Sequence, residues 1–243
     1  MKNYLFALLI FFTATALAQT DTRIYDIIQK VSAKNIEADI TTLANFGTRN
    51  TFSDTLSSSR GIGAARRWIK AEFQQISSNC TDCLEVFYQK DLVKAATSKR
   101  VPKDTWVVNV VAIQKSKTGS NRYIIISGDI DSRNSEGSDF TKDAPGANDN
   151  ASGMAGAIEA ARVLSSYEFD ANIVYLGLSG EEQGLFGGAG FARYAQENNW
   201  DIIGVLNNDM IGNIKGVDGV ISNVDFRIFS EPVPPTETQK QRR

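Results

Sequence analysis

Three short runs, Tyr123–Ile126, Ile173–Leu178 and Ile202–Leu206, are apolar along almost their whole length, and the stretches between them carry helical spacing. A strand covered on both faces reads as such a continuous run. Strand, helix, strand, helix, strand is the alternation that builds a parallel sheet through crossover connections. Each run ends in a small acidic segment: Ser127-Gly128-Asp129-Ile130-Asp131-Ser132, then Ser179-Gly180-Glu181-Glu182-Gln183-Gly184, then Asn207-Asn208-Asp209-Met210-Ile211-Gly212. A fourth, Asn148-Asp149-Asn150-Ala151-Ser152-Gly153, opens the clearest helix. In open parallel sheets ligands bind beyond the carboxyl ends of the strands, so the spacing predicts one carboxylate-rich site. The expected fold class is α/β, with a mixed, mostly parallel central sheet flanked by helices.

The remaining segments supply scaffold. Thr22 to Phe46 reads as two helices, with Ser32 capping the second and Ile36, Ile40 and Leu43 turned inward. Gly47 to Ser59 is a polar loop. Gly61 to Ser77 is a helix with Ile62, Ala65, Ile69, Phe73 and Ile76 on its inner face, and Arg66, Arg67, Lys70 and Glu72 facing water. Leu84–Gln89 and Trp106–Ile113 have strand composition, joined by an exposed connection from Lys90 to Lys103. Asn134 to Ala147 is a long polar loop of the kind that borders a site. Helices are expected over Asp149–Leu164 and Gly184–Ala195. Beyond Asp209 the pattern thins to a hairpin around Asp218-Gly219 and a further strand over Phe226–Phe229. An α/β domain rarely ends there, so a missing C-terminal portion is expected.

Lys2 followed by the apolar run Tyr4–Phe12 and the small residues Ala16-Leu17-Ala18 reads as a secretory signal peptide over 1–18. The run is too short to span a bilayer. The mature chain, 19–243, is expected to be one domain, secreted or periplasmic. Without Lys2 the 26 basic residues become 25 against 28 acidic, a formal charge of −3. That balance points to neither nucleic acid nor a membrane as partner. With no further cysteine and no histidine to complete a zinc knuckle, Cys80 and Cys83 are expected to form a small disulfide before Leu84. The absence of histidine excludes every His-based mechanism within these residues.

Asp129, Asp131, Asp149, Glu181, Glu182 and Asp209 would crowd together at the strand ends. Taken singly, Asp149 could cap its helix, the glutamates could be first-turn acids, and Asp129 and Asp131 could be turn residues. Together, several carboxylates at close range cannot all stay ionised without compensation, and such a cluster wants cations.

Ala144 to Gly153, Leu178 to Gly187 and Asn208 to Gly212 resemble, in order and spacing, the signature of metallopeptidase family 28, the co-catalytic zinc aminopeptidases and related carboxypeptidases. The resemblance runs from about Thr105 to Gly212. It implies a zinc exopeptidase-like fold and two zinc ions in the complete protein, with fewer or none in this chain. It further implies that Asp149 bridges the metals, Glu182 ligates one and Asp209 the other. Glu181 would be the general base and Asp131 the carboxylate that orients a ligand. A cis peptide is implied after Asp149. Where the family has His-x-Asp this chain has Asp129-Ile130-Asp131, which makes Asp129 a carboxylate replacement for an imidazole ligand. The family's last histidine ligand has no counterpart. The expected function is therefore an exported metal-dependent exopeptidase, most simply an aminopeptidase acting on peptides. The competing readings are a catalytically inactive binding or structural domain and a glutaminyl cyclase-like enzyme.

Overall fold

A computed structural model of the chain describes residues 21–229, so the expected signal peptide lies outside the described residues. The chain separates into one unit ending at Val31 and another beginning at Ser32. The described part of the first is helix α1 (Thr22–Gln29), capped by Asp21. In the second, Ser32 caps α2 (Ala33–Asn45) by accepting from the Asn35 amide at 3.2 Å, as its sequence predicts. There follow α3 (Gly61–Asn79), β1 (Leu84–Val93), β2 (Thr105–Gln114), β3 (Arg122–Asp129), a single π-type turn (Ala147–Ser152), α4 (Gly153–Leu164), β4 (Asn172–Leu178), α5 (Glu181–Gly184), α6 (Phe186–Glu197) and β5 (Asp201–Asn208). Cys80 and Cys83 are disulfide-bonded in the turn between α3 and β1.

The five strands form one mixed sheet in the order β1-β2-β4-β3-β5. β1 with β2 and β2 with β4 are antiparallel, while β3 runs parallel to both β4 and β5. Parallel pairing is thus concentrated where the acidic segments lie, and it brings three carboxyl ends to one edge. Asp129 pairs with Leu178, and Gly128 with Asn208.

Both faces of the sheet centre are covered, which explains the continuous apolar runs. Val110, Ala112, Ile173 and Tyr175 point to a core built with α2, α3 and α4; Val111, Ile113, Val174 and Leu176 point to the opposite core, where Phe191 of α6 packs. The period-2 alternation of the strands divides these residues between the two layers. The buried Tyr175 hydroxyl donates to Gln114 Oε1 at 2.8 Å, so the core carries no cost there for an unpaired phenol.

Several expectations are corrected. Arg66 does not face water; it is buried on α3, because the α3 surface turned toward Tyr88 and Ser179 extends past the apolar stripe. β5 is not a covered strand: as the sheet edge it leaves Val205 56% and Leu206 61% exposed. The helix expected from Asp149 starts at Gly153, because Asp149 and Asn150 have non-helical backbone angles. The glycine-rich helix expected over Gly184–Ala195 is two helices separated by Leu185, which has a φ of 59°. Phe226–Phe229 forms no strand, and the expected hairpin is reduced to the bridge between Lys215 and Ile221. These residues find no partner sheet among those described.

Two glycines set how closely the site elements approach. A Cβ on Gly128 would meet the Gly153 carbonyl carbon at 2.5 Å, and one on Gly153 would lie 2.1 Å from the Asn208 carbonyl oxygen. β3, the start of α4 and the end of β5 therefore touch backbone to backbone. Gly153→Ala is expected to destabilise the protein by about 1 to 3 kcal/mol through overpacking; thermal unfolding measures it, and an unchanged melting temperature would contradict this packing.

Candidate functional site

The elements deliver the acids in pairs. β3 ends in Asp129, with Asp131 two residues on, held where the Ile130 amide donates to the Leu178 carbonyl at 2.6 Å. β4 ends in Leu178, and Gly180 at φ 75° turns the chain so that Glu181 and Glu182 open α5. β5 delivers Asp209, while Asp149 sits in the π-type turn. Asp149, Glu181, Glu182 and Asp209 line one cavity of about 650 Å³, together with Arg100 and Arg133. Asp129 and Asp131 are buried.

Asp131 works on the backbone. Its two oxygens accept from the Glu181 and Glu182 amides, each at 3.2 Å, and Oδ2 also accepts from the Thr51 hydroxyl at 3.2 Å. It thereby fixes the turn that presents both glutamates. Asn150 joins the other segments. Its Nδ2 donates to Asp129 Oδ2 at 3.2 Å and to the Asn208 carbonyl at 2.9 Å, while its Oδ1 accepts from the Gly153 and Met210 amides at 3.0 and 3.2 Å. Asn148 and Ser152 extend this seam by accepting from Gly212 and Ile211 amides. The Asp149–Asn150 peptide is cis.

Arg49 supports the same region from beneath. It is fully buried and donates to the carbonyls of Ile130, Leu43, Pro145 and Gly146 at 2.6 to 2.9 Å. Burial lowers its pKa to about 10, and Asp131 and Asp149 oppose that fall. Sequence reading placed Arg49 in a polar loop and missed it; only its isolation among small polar residues marks it.

The carboxylates repel one another. Burial, then the charges of Asp131 and Glu181, push Asp129 up to about 8. Burial pushes Asp131 to about 6 against the pull of its backbone donors. Burial followed by Asp131 and Glu182 raises Glu181 to about 7. Asp209 is also raised, by burial and by Asp149. Arg133 donates directly to Glu182, and Arg100 lies 3.9 Å from it. The Glu181 side chain has no hydrogen bond or ion pair among the described residues.

An all-carboxylate donor set suits hard divalent cations, and carboxylates also ligate zinc. The chemistry of the set fits a cation, since mutually repelling acids are what one would neutralise. The arrangement is not closed: among the described residues no three such side chains are placed to hold an ion, and Glu182 is drawn onto Arg133. Closing around a metal requires Glu182 to leave that arginine.

Residues 109–224 match the family model described as peptidase family M28. The chain is 36% identical over 217 residues to a probable zinc metalloprotease of Pyrenophora teres f. teres, covering 89% of this chain and 47% of that protein. It spans about half the length of the curated relatives it matches. Its fold is similar to the Legionella pneumophila LapA aminopeptidase, with a TM-score of 0.58 and 20% identity over 78% of this chain and 48% of that one. It is equally similar to a Porphyromonas gingivalis glutaminyl cyclase, with a TM-score of 0.58 and 18% identity over 75% and 60% of the two chains.

Without a cation, Asp129 is protonated in the folded protein up to about pH 8, whereas in the unfolded chain it ionises near 3.8. The folded state therefore binds more protons, and stability falls as pH rises between those values. The melting temperature of metal-stripped protein is expected to drop by several degrees from pH 5 to pH 8, and Asp129→Asn to flatten that slope. A melting temperature that rises over this range would contradict it.

Proposed function

We propose, from the premise that this chain belongs to peptidase family M28, that it is the site-bearing part of an exported zinc exopeptidase, most simply an aminopeptidase. The observation that carries this reading is Glu181, a carboxylate half in and half out of the cavity, without a partner, and raised to about 7. Burial and acidic neighbours raise its proton affinity above that of an ordinary glutamate, the direction a general base needs. Asp149, Asp209, Asp129 and, once released from Arg133, Glu182 are the residues that would hold metal. When bound, zinc supplies Lewis-acid polarisation of the scissile carbonyl.

The chain's own groups do the rest. Glu181 takes a proton from the attacking water and returns it to the departing amine. Asp131 keeps Glu181 and Glu182 in register through their amides. The acidic cavity favours the free ammonium end of a peptide over an acidic one, which supports release of N-terminal residues. Export is supported by the apolar segment after Lys2 and by the Cys80–Cys83 bond, which belongs to oxidising compartments.

A second reading, a binding domain that no longer hydrolyses, draws on the Arg133–Glu182 contact and the absence of histidine. The two readings separate in one experiment on the zinc-loaded full-length protein. Glu181→Gln is expected to lower hydrolysis of aminoacyl p-nitroanilides about 10²- to 10⁴-fold, with zinc content unchanged. The wild-type rate should show an acid limb below the metal-free value of about 7, since bound zinc lowers Glu181 with the other acids, and Glu181→Gln should remove that limb. Activity retained by Glu181→Gln would refute the general-base role, and a zinc-loaded wild type without hydrolysis would favour the binding domain.

A further inference from the structure

Arg66 is a strongly buried arginine with no ion pair among the described residues; the one carboxylic acid that acts on its charge, Asp131, does so from beyond ion-pair distance. Arg49, equally buried, spends its donors on four carbonyl oxygens, and Arg162 sits among Asp39, Glu72 and Glu159. Arg66 is 6% exposed, yet its guanidinium makes a single long contact, Nε to Ser179 Oγ at 3.4 Å. Its Nη2 is buried without a hydrogen-bond partner, and no carboxylate lies within ion-pair distance. A buried charge without a partner is costly unless something supplies the opposite charge.

Arg66 forms part of the wall of a cavity of about 1080 Å³, larger than the acidic one and lined by different residues. Thr51, the donor to Asp131, also lines it, so one hydrogen bond links this cavity's wall to Asp131. Phe52, Phe140, Leu92 and Trp106 give the cavity an apolar side, and Trp106 is 56% exposed at it. Lys90 and Lys103 add positive charge, and Lys90 has no ion-pair partner among the described residues. Asp54 and Asp104 also stand in the wall and weigh against a dianion.

We propose that this cavity binds a monoanionic carboxylate carried on an apolar body, with Arg66 as the charge that receives it. A planar guanidinium offers parallel N–H donors that match the two oxygens of a carboxylate, and the aromatic side accepts the body. The site needs no hydrolytic activity at the acidic centre and stands if that activity is absent.

Calorimetric titration of the full chain with 3-phenylpropionate, 3-phenylpropionamide, acetate and inorganic phosphate tests it. Saturable binding of 3-phenylpropionate is expected, at least tenfold tighter than its uncharged amide and tighter than acetate. Arg66→Met should weaken it at least tenfold while keeping a cooperative thermal transition in anion-free buffer. Trp106→Ala, at an exposed position, should weaken 3-phenylpropionate several-fold and leave acetate unchanged. Should Arg66→Met not fold, the arginine Nε–H resonances of the unaltered protein serve instead: one should move with the carboxylate and none with the amide. Equal binding of acid and amide, undiminished binding to Arg66→Met, or no saturable binding of the acid at millimolar concentration overturns the proposal. Phosphate binding more tightly than the carboxylate overturns the choice of ligand.

Discussion

Everything at the carboxyl edge of the sheet hangs on the amide side chain of Asn150. It is buried and makes four hydrogen bonds to segments far apart in sequence: the Asp129 carboxylate, the Asn208 carbonyl, and the amides of Gly153 and Met210. An amide is suited to this because it carries two donors and one strong acceptor on a short, rigid plane. Aspartate at this position would lose both donors and add a seventh charge to the cluster. The glycines beneath it let the same three segments meet backbone to backbone, so the hydrogen bonds and the close packing enforce one geometry.

That geometry creates an electrostatic debt inside the site. Six acids are brought within reach of one another, and the arginines nearby answer only part of the charge. Arg133 and Arg100 attend to Glu182, Arg49 is committed to backbone carbonyls, and Arg66 feels the Asp131 charge only from beyond ion-pair distance. The result is a graded set: Asp129 highest, Glu181 near neutrality, Asp131 lower because two amides stabilise its charged form. A divalent cation would lower the whole set at once. Proton occupancy and metal occupancy are thus alternatives at the same oxygens.

Much of this was legible in the sequence because the signals were local or periodic. Tyr123–Ile126 and Ile173–Leu178 announced covered strands by their unbroken apolarity, and the acids directly after them had to fall at one edge once the pairing was parallel. Ser32 announced its cap, and the cis peptide after Asp149 followed from the family resemblance. What was not legible depended on contacts distant in sequence. Arg66 lies on a helix directly before Arg67, and nothing local distinguishes the buried arginine from one facing water. Arg49 is read only once Ile130 and Pro145 are known to surround it. The exposure of β5 follows from its edge position, which its apolar composition conceals, and Glu182's attachment to Arg133 depends on how the 130–146 loop folds back.

The most direct test of the central claim, that the acid cluster is a cation site holding protons in the cation's absence, is the number of protons released when zinc binds. Zinc titrations at pH 7 in buffers of different ionisation enthalpy give that number. Net proton release at pH 7, diminishing toward pH 9 as Asp129 and Glu181 ionise on their own, is the predicted result. Tight zinc binding with no proton release at either pH, or no zinc binding at all, would contradict it.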